Sequence, residues 1–431
     1  MTFLKDYFEK TIHYKSLYGK NTLVLMQCGA FYEVYGLKDS KSGEITGSDI
    51  EIYSQFCDLA MSDKKVCVGD KNVVMSGFRD FVLDKYIKKI QDAGFTAVVY
   101  SQDEKAAGTT RSLTGIFSPG TFFNIESNKI NNNIMCIWLQ KYKNTILVGL
   151  SNIDIFTGKS SIFEYQESFS QHCTSYDEVE RYVSIYNPSE VIFIHNLGDS
   201  MIDNVIQYSS ISTNCIHKIN LDEESPNSSK ANNCEKQIYQ KEIITKFFND
   251  SEFFHNYNFL TYPIATQSIC YLLEFVYEHN PNLVKQIELP EFENCSEKLL
   301  LGNHSLKQLN IINTGVCNGK VSSVLDFLNM AVTSMGKRKL SNQLVNPIFD
   351  IHKLNKEYNI IEYLNENQEI KSIIRQSLKS IKDIEKLNRK LILKKLTPQD
   401  LYYLYNNLQE ISKLYLEKIF TDETLNEYLS N

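Results

Sequence analysis

The sequence lacks the short motifs that would mark a zinc ribbon, a redox pair or a nucleotide-binding loop. Its ten cysteines include no C-x-x-C pair, which argues against a zinc ribbon or a dithiol redox site. No G-x-x-x-x-G-K-[ST], H-E-x-x-H or G-x-S-x-G pattern occurs, and the eight histidines show no metal-ligand spacing. We therefore expect no metal, no bound cofactor and no catalytic site of these types on this chain.

Long apolar runs are also absent. No stretch of 18 apolar residues exists, so the sequence predicts no membrane-spanning helix and no membrane partner. The N-terminus, MTFLKDYFEK, is charged and amphipathic rather than signal-like. We expect reduced thiols and an intracellular location, because oxidising compartments favour disulfide frameworks.

What is present fits a globular protein of several domains. The 431 residues are 42% hydrophobic and 23% charged, and this length predicts two to four domains. Residues 111–329 hold 15 Lys and Arg against 24 Asp and Glu, whereas residues 330–431 hold 16 against 13. An acidic middle is a poor surface for nucleic acid, while the two ends permit such binding.

One stretch stands out, LVLMQCGAFYEVYG at positions 23–36. Phe31 and Glu33 are two residues apart, so on a strand they share one face. If that face is core, Glu33 is a buried carboxylate that needs a partner. If it faces solvent, Phe31 is exposed. Either alternative favours a binding role, against the simpler interpretation that Phe31 is core and Glu33 is solvated.

Periodicity along the chain predicts four segments. Residues 1–123 and 124–208 each mix strand-like and helix-like patterns and are interpreted as two α/β domains. Residues 209–237 are rich in Ser and Asn and are interpreted as a linker or an insertion. From residue 238 to 431 helical spacing dominates, which predicts an all-helical region.

The stretch around Phe31 is similar to a Gly-x-Phe-Tyr-Glu segment of the MutS family of DNA mismatch-recognition proteins. Gly29, Phe31, Tyr32 and Glu33 match that segment. Further resemblances follow in the family's order along the chain. They are Ser118–Thr121, Gly149–Lys159, Val324–Pro347, Asp383–Leu387 and Thr397–Leu401. The chain resembles the N-terminal half of the family, with loops closer to viral or organellar large forms.

The resemblance implies a fold and a site. It implies a mismatch-recognition domain, an RNase H-like connector domain and an incomplete all-α core and lever region. Phe31 would insert as a wedge at a mispair and Glu33 would hydrogen-bond a displaced base, with Tyr32 and Gly29 completing the motif. We predict contacts to the DNA backbone from Lys64, Lys65, Lys71, Met75 and Arg79.

The resemblance also implies partners. These are double-stranded DNA with mismatches or small loops, a MutS-type dimer partner and downstream repair factors. The family's ATPase domain, which binds ATP and Mg²⁺, would lie beyond Asn431, so no enzymatic activity is expected on this chain. The expected location is the cytoplasm or a nucleoid- or nuclear-type compartment, an organelle or a viral factory included.

Two other functions stay open at this point. The chain could be a scaffold or protein-interaction fragment without DNA affinity. It could also be a metal-dependent nuclease built on the second domain, which would require carboxylates such as Asp154 to converge with others.

Overall fold

The computed structural model describes residues 2–102, 110–121, 123, 130–170, 173–213, 215–248, 258–295, 299, 301, 304–312, 321–416 and 422–430. Over these residues the chain forms two α/β units followed by a helical region. The multidomain fold class predicted from the sequence is confirmed. Within the described ranges, each helix is too short or too polar to cross a bilayer.

The first unit is built on a mixed sheet of seven strands. These are β1 (Thr22–Cys28), β2 (Phe31–Asp39), β3 (Ile45–Thr46), β4 (Ser62–Val68), β5 (Lys71–Arg79), β6 (Thr96–Gln102) and β7 (Arg111–Phe117). Their order is β4-β5-β2-β1-β6-β7, with β3 paired to β2. β1 runs antiparallel to β2 and parallel to β6. The β1–β2 hairpin therefore lies at the centre of the sheet.

Three helices cover the two faces of this sheet, α1 (Thr2–Tyr18), α2 (Ile50–Cys57) and α3 (Leu83–Asp92). α1 packs on one face, where Tyr7 meets Val24 and Tyr35. α2 and α3 pack on the other, where Tyr53 and Ile87 join a second core. Because strand residues alternate between faces, β1 and β2 contribute to both cores.

The second unit has a six-stranded sheet. Its strands are β8 (Asn133–Tyr142), β9 (Thr145–Asp154), β10 (Ser160–Ser168), β11 (Glu190–His195), β12 (Ile216–Asn220) and β13 (Glu291–Phe292). The order is β12-β11-β8-β9-β10-β13. β8, β9 and β10 form an antiparallel meander, and β11 and β12 extend it in parallel with β8. This is the RNase H-like arrangement that the resemblance implied.

Helices cover both faces of the second sheet. They are α4 (Asp177–Tyr186), α5 (Asp199–Tyr208), α6 (Pro226–Cys234), α7 (Gln237–Phe248) and α8 (Pro263–His279). α4 and α5 share one core with the sheet, and α6, α7 and α8 share the other. Gly149 on β9 permits the close approach of α8, because a Cβ there would lie 2.4 Å from the carbonyl of Ile264.

The segment predicted as a linker or insertion, residues 209–237, has regular structure instead. It contains edge strand β12 and helix α6, and α7 and α8 after it also pack on the second sheet. An edge strand and a helix with one buried side need few apolar residues. Here Ile219, Ala231 and Cys234 supply them, so a polar composition conceals the elements.

The helical region follows, but it begins later than the predicted residue 238, because α7, α8 and β13 belong to the second unit. Its described helices are α9 (Ser305–Gln308), α10 (Val324–Leu328), α11 (Ser334–Val345), α12 (Ile351–Glu366), α13 (Gln368–Ser380), α14 (Ile384–Ile392), α15 (Pro398–Leu414) and α16 (Glu423–Ser430). α14 attaches this region to the second unit through Arg389, whose buried guanidinium donates to the carbonyls of Lys285 at 2.6 Å, of Ile155 at 3.3 Å and of Leu283.

Candidate nucleic-acid interface

The stretch singled out in the sequence forms the tip of the β1–β2 hairpin. Cys28 pairs with Phe31, so the turn between them consists of Gly29 and Ala30. Gly29 has a φ of +60°, a left-handed conformation that glycine adopts without the steric cost of a Cβ. Phe31 is consequently the first residue after the turn and lies at the end of the sheet.

Alternation along β2 separates the residues of the motif. Tyr32 points into the core shared with α2 and α3, is 5% exposed, and forms a hydrogen bond with Ser101 at 2.7 Å between the two hydroxyl oxygens. Phe31 and Glu33 lie on the opposite face, as their spacing predicts. The structure therefore brings Phe31 and Glu33 together and places Tyr32 in the layer beneath them.

Phe31 is 43% exposed because α1 covers only the inner part of its face. The covered part includes Tyr35, which packs edge-on against Phe3 and Tyr7 with ring centroids 5.8 and 4.9 Å away. Arg79 lies directly opposite Phe31 on β5, with its guanidinium carbon 6.0 Å from the ring centroid. The tip thus presents an accessible aromatic ring beside a cation.

Glu33 has partners on two sides. Its Oε2 accepts hydrogen bonds from the Tyr35 hydroxyl and from the Lys64 ammonium, both at 2.5 Å. The Lys64 Nζ also lies 2.9 Å from the Tyr35 hydroxyl and 4.4 Å from the centre of its ring. Burial, and then the contacts to Cys28 and Glu33, raise the pKa of Tyr35 far above its usual range. Tyr35 therefore remains a proton donor to Glu33.

Gly77 makes room for this arrangement. It lies opposite Glu33 in the register of β2 and β5. A Cβ at this position would lie 2.4 Å from the carbonyl oxygen of Tyr32 and 3.1 Å from Glu33 Cγ. Any larger residue would displace the strand or the carboxylate, since backbone cannot yield cheaply at that distance.

The predicted backbone contacts lie at different distances from Phe31. Lys64 and Arg79 reach the tip, as described above. Lys65 is exposed and has a left-handed φ of 56° at an irregularity in the pairing of β4 with β5. Met75 is half-buried opposite Tyr35. Lys71 pairs with Asp39 at the far end of β5, roughly 26 Å from Arg79 at about 3.3 Å per strand residue.

Arg111 is a site residue that sequence reasoning did not identify. From β7 its Nε donates to the carbonyl of Gln27 at 2.6 Å, and its guanidinium carbon lies 4.3 Å from the centre of the Phe3 ring. It braces the last residues of β1 before the turn and connects them to α1. A lone arginine about 80 positions along the chain carries no local signal for this contact.

Asp154, the carboxylate that a nuclease site would need, is used in a turn. It is buried at the end of β9 and accepts hydrogen bonds from the backbone N–H of Asn132 at 2.9 Å, from that of Phe156 at 3.1 Å and from the Thr157 hydroxyl at 2.7 Å. Burial raises the pKa of this carboxyl. Its oxygens hold the β9–β10 connection, and this geometry gives the nuclease alternative no support.

Comparisons with known proteins match both ends of the chain. A model of MutS domain I matches residues 10–126, and a model of MutS domain III matches residues 304–430. The first match contains the hairpin tip and the face with Phe31 and Glu33. The second covers most of the helical region.

Similar proteins share the order of these parts. A DNA mismatch repair mutS homologue of Acanthamoeba polyphaga mimivirus is 28% identical over 441 residues, covering 95% of this chain and 39% of its own length. The MutS of Clostridioides difficile is 23% identical, with 95% and 39% covered. A mitochondrial mutS homologue of Sarcophyton glaucum is 25% identical, with 95% and 46% covered. The chain spans less than half the length of these relatives.

Two sheets followed by helices, with matching domain models at both ends, define a multidomain protein built from MutS domains. The chain belongs to the MutS family. The family resemblance drawn from the sequence is therefore confirmed.

Proposed function

We propose that this chain binds double-stranded DNA at mismatched or unpaired bases, with Phe31 as the wedge and Glu33 as the hydrogen-bond acceptor. The observation that carries this proposal is the exposed ring of Phe31 at a hairpin tip, on the same face as a carboxylate fixed by two donors. An isolated exposed ring would be ordinary, but a ring beside an anchored acceptor suits a base edge.

The Phe31 wedge would select mismatched sites because they deform more easily than paired DNA. Inserting an apolar ring between base steps costs a few kcal/mol of unstacking, roughly 2–4 per step, and less where pairing is already defective. Mismatched sites therefore bend at lower cost than paired ones. Phe31 follows a two-residue turn on the central hairpin of a packed sheet, so the ring would enter the groove on a rigid support.

Glu33 would act as an oriented acceptor. Because Tyr35 and Lys64 both donate to one of its oxygens, the other oxygen remains for a base N–H. An unpaired base offers such a donor, whereas in a paired duplex the donors on the Watson–Crick edge are occupied. The acidic group would also penalise tight binding to intact duplex, since phosphates repel it.

Arg79 and Lys65 would contact phosphates and position the tip without reading sequence. Lys71 is too far along the sheet to contact the same phosphates. We assign no ATP or magnesium site to these residues, and we infer that they contribute recognition rather than hydrolysis. A MutS-type partner subunit and downstream repair factors, in any compartment that holds DNA, follow from this function.

The test is the affinity of the purified chain for matched and mismatched duplexes, measured by fluorescence anisotropy. Phe31→Ala is expected to lower the preference for the mismatched duplex roughly 10-fold or more, as for the loss of about 1–3 kcal/mol of stacking. Tyr142→Ala removes another exposed aromatic, in the second unit, and is expected to leave the preference unchanged.

Two outcomes would contradict the proposal. If wild-type chain binds neither duplex, the scaffold alternative is favoured. If Phe31→Ala and Tyr142→Ala behave alike, the wedge lies elsewhere. Cutting of duplex DNA by the purified chain with Mg²⁺ would instead support the nuclease alternative.

A further inference from the structure

A second cluster of chemically active side chains lies where the first unit joins the second. Its centre is Glu190, which is fully buried at the start of β11. The Oε2 of Glu190 accepts hydrogen bonds from the N–H of Gly120 at 2.9 Å and from the hydroxyl of Ser118. The carboxylate thus holds the turn through which the chain leaves the first sheet.

Two further side chains that could bind a metal lie on the other side of this carboxylate. Cys215 and His217 are two residues apart, on either side of the first residue of β12, so both point to the same side of the chain. His217 Nε2 lies 2.7 Å from Glu190 Oε1 and 3.6 Å from Cys215 Sγ. One carboxylate oxygen, one imidazole nitrogen and one thiol sulfur, all buried, lie within 4.8 Å of one another.

An ion pair between Glu190 and His217 explains only part of the cluster. It leaves the Cys215 thiol buried beside a carboxylate, where burial and then the charge of Glu190 raise its pKa well above the usual value. It also leaves His279 unexplained. That histidine is 2% exposed, and its Nδ1 bonds to the carbonyl of Phe275 at 2.8 Å.

The other nitrogen of His279 has an unused lone pair. Since Nδ1 is the donor to a carbonyl, Nε2 is unprotonated in the neutral ring, and it has no partner among the described residues. Burial lowers the pKa of His279, and the charge of Glu190 acts on it in the opposite direction. The ring is thus a buried neutral imidazole, and it lies outside the set of ligand atoms within 4.8 Å of one another.

We propose that Glu190, Cys215 and His217 form a binding site for a divalent cation of the zinc class. Thiolate, imidazole and carboxylate are the ligands that zinc prefers, and three protein ligands leave its fourth position to water. Ligand atoms around tetrahedral zinc are about 3.3–3.8 Å apart, as bond lengths of about 2.0–2.3 Å require. The Glu190–His217 contact of 2.7 Å would therefore open by about 0.6 Å.

Protons balance in this step. The cation displaces the thiol proton of Cys215 and the proton held between Glu190 and His217, and both pass to solvent. The Ser118 and Gly120 hydrogen bonds would then orient the ligating carboxylate, as partners outside the ligand set commonly do. Gln91 of α3 donates to the Ser118 carbonyl at 2.6 Å, so the metal would couple the unit that carries Phe31 to the second unit.

Sequence reasoning excluded a metal from the absence of C-x-x-C and of histidine spacing. The ligands come instead from β11 and from the chain entering β12, and the one local sign is Cys-x-His at the start of a strand. This inference does not depend on DNA binding.

The test is titration of chelator-treated chain with Co²⁺, which reports thiolate ligation by a charge-transfer band in the near ultraviolet. Wild type is expected to show this band with saturation at one metal per chain, and Zn²⁺ is expected to displace the cobalt and raise the melting temperature. Cys215→Ser is expected to abolish the band. Cys67→Ser removes an exposed thiol of the first unit and is expected to retain it.

The proposal is overturned if wild type shows no saturable band, or if Cys215→Ser keeps it. X-ray absorption of zinc-loaded wild type removes any dependence on the folding of variants. It should show one sulfur at about 2.3 Å with nitrogen or oxygen at about 2.0–2.1 Å. A shell without sulfur, or with several sulfurs, would also overturn it.

Discussion

Most helices of the two α/β units begin differently from most helices of the helical region. The exceptions among those described are α6, which Ser225 caps, and α9 and α13, which have no side-chain cap. α2, α3, α4 and α5 start without a side-chain hydrogen bond to their first N–H groups. α10, α11, α12, α14 and α15 each start with a Ser, Thr or Asp that accepts one. Helices that lie on a sheet can therefore form without caps, whereas most of those of the helical region use local signals.

Burial differs in the same direction. α8, on the second sheet, buries thirteen of its residues, whereas α12 buries only Ile360 and α13 none. Large apolar side chains in the helical region remain exposed, among them Phe327, Met330, Phe349, Ile351, Tyr358, Tyr402 and Tyr405. The α/β units obtain their stability from tertiary burial, while the helical region relies more on caps and ion pairs.

One cluster of ion pairs lies where the helical region meets the second unit. Arg338 pairs with Asp383 at 2.7 Å and with Glu385 at 2.5 Å, and it donates to the carbonyl of Ile130 at 3.2 Å. Lys159 of the second unit also pairs with Glu385, at 2.7 Å. Charged side chains thus connect the two regions where apolar contact is sparse.

The largest expected effect tests this contrast in burial. Phe193 is fully buried between the second sheet and α4 and α5, and Phe193→Ala should lower the free energy of unfolding by about 3–5 kcal/mol. Phe349 is 59% exposed in the helical region, and Phe349→Ala should change it by no more than about 0.5 kcal/mol. Urea unfolding followed by circular dichroism and by Trp138 fluorescence measures both.

If both variants lose the same free energy of unfolding, the contrast in burial is contradicted. Phe349 would then be part of a core as tightly packed as the one around Phe193. Trp138 lies opposite Ile194 on the neighbouring strand. Its fluorescence therefore reports on the second unit separately.

The same contrast explains what the sequence could predict. The period of two placed Phe31 and Glu33 on one face, and the structure agrees. The helical region could be predicted because helical spacing is a local pattern. The partners of Glu33 were not, since Tyr35 and Lys64 meet it only through the pairing of β2, β5 and β4. Strand register depends on contacts distant in sequence.

Lys71 shows the converse, that a residue close in sequence can lie far away in the fold. It is much closer to Lys64 in sequence than Glu33 and Tyr35 are, yet the antiparallel register places it at the far end of β5. The helix and strand within residues 209–237 were not predicted for a related reason. Amino-acid composition is a poor guide to a helix or an edge strand when only one of its sides is buried.

An effect of intermediate size is expected for the residues of the first unit that set the preference for mismatched DNA. Lys64→Met removes one of the two donors to Glu33, so the carboxylate loses its fixed orientation. We expect the preference for a mismatched duplex to fall roughly 3- to 10-fold, as for a partly buried charged hydrogen bond worth about 1 kcal/mol. Lys65→Met removes an exposed neighbouring charge and should weaken matched and mismatched binding alike. Anisotropy titrations at two salt concentrations separate the two variants.

If Lys64→Met lowers both affinities equally, Lys64 contacts only phosphate and does not orient Glu33. If Lys65→Met alters the preference, the irregular part of β4 takes part in reading the base.

The smallest effect tests the contrast in helix caps. Thr397 and Asp400 form a reciprocal capping box at the start of α15, with N–H to oxygen distances of 3.2 and 3.0 Å. Thr397→Ala should lower the free energy of unfolding by about 1 kcal/mol and speed amide exchange in α15. Gly198→Ser adds a cap to α5, where a Cβ meets no atom within 4 Å. It should raise the free energy of unfolding by only about 0.3 kcal/mol. A larger change at α5 than at α15, measured by hydrogen exchange, would show that the sheet does not hold its helices as the burial pattern indicates.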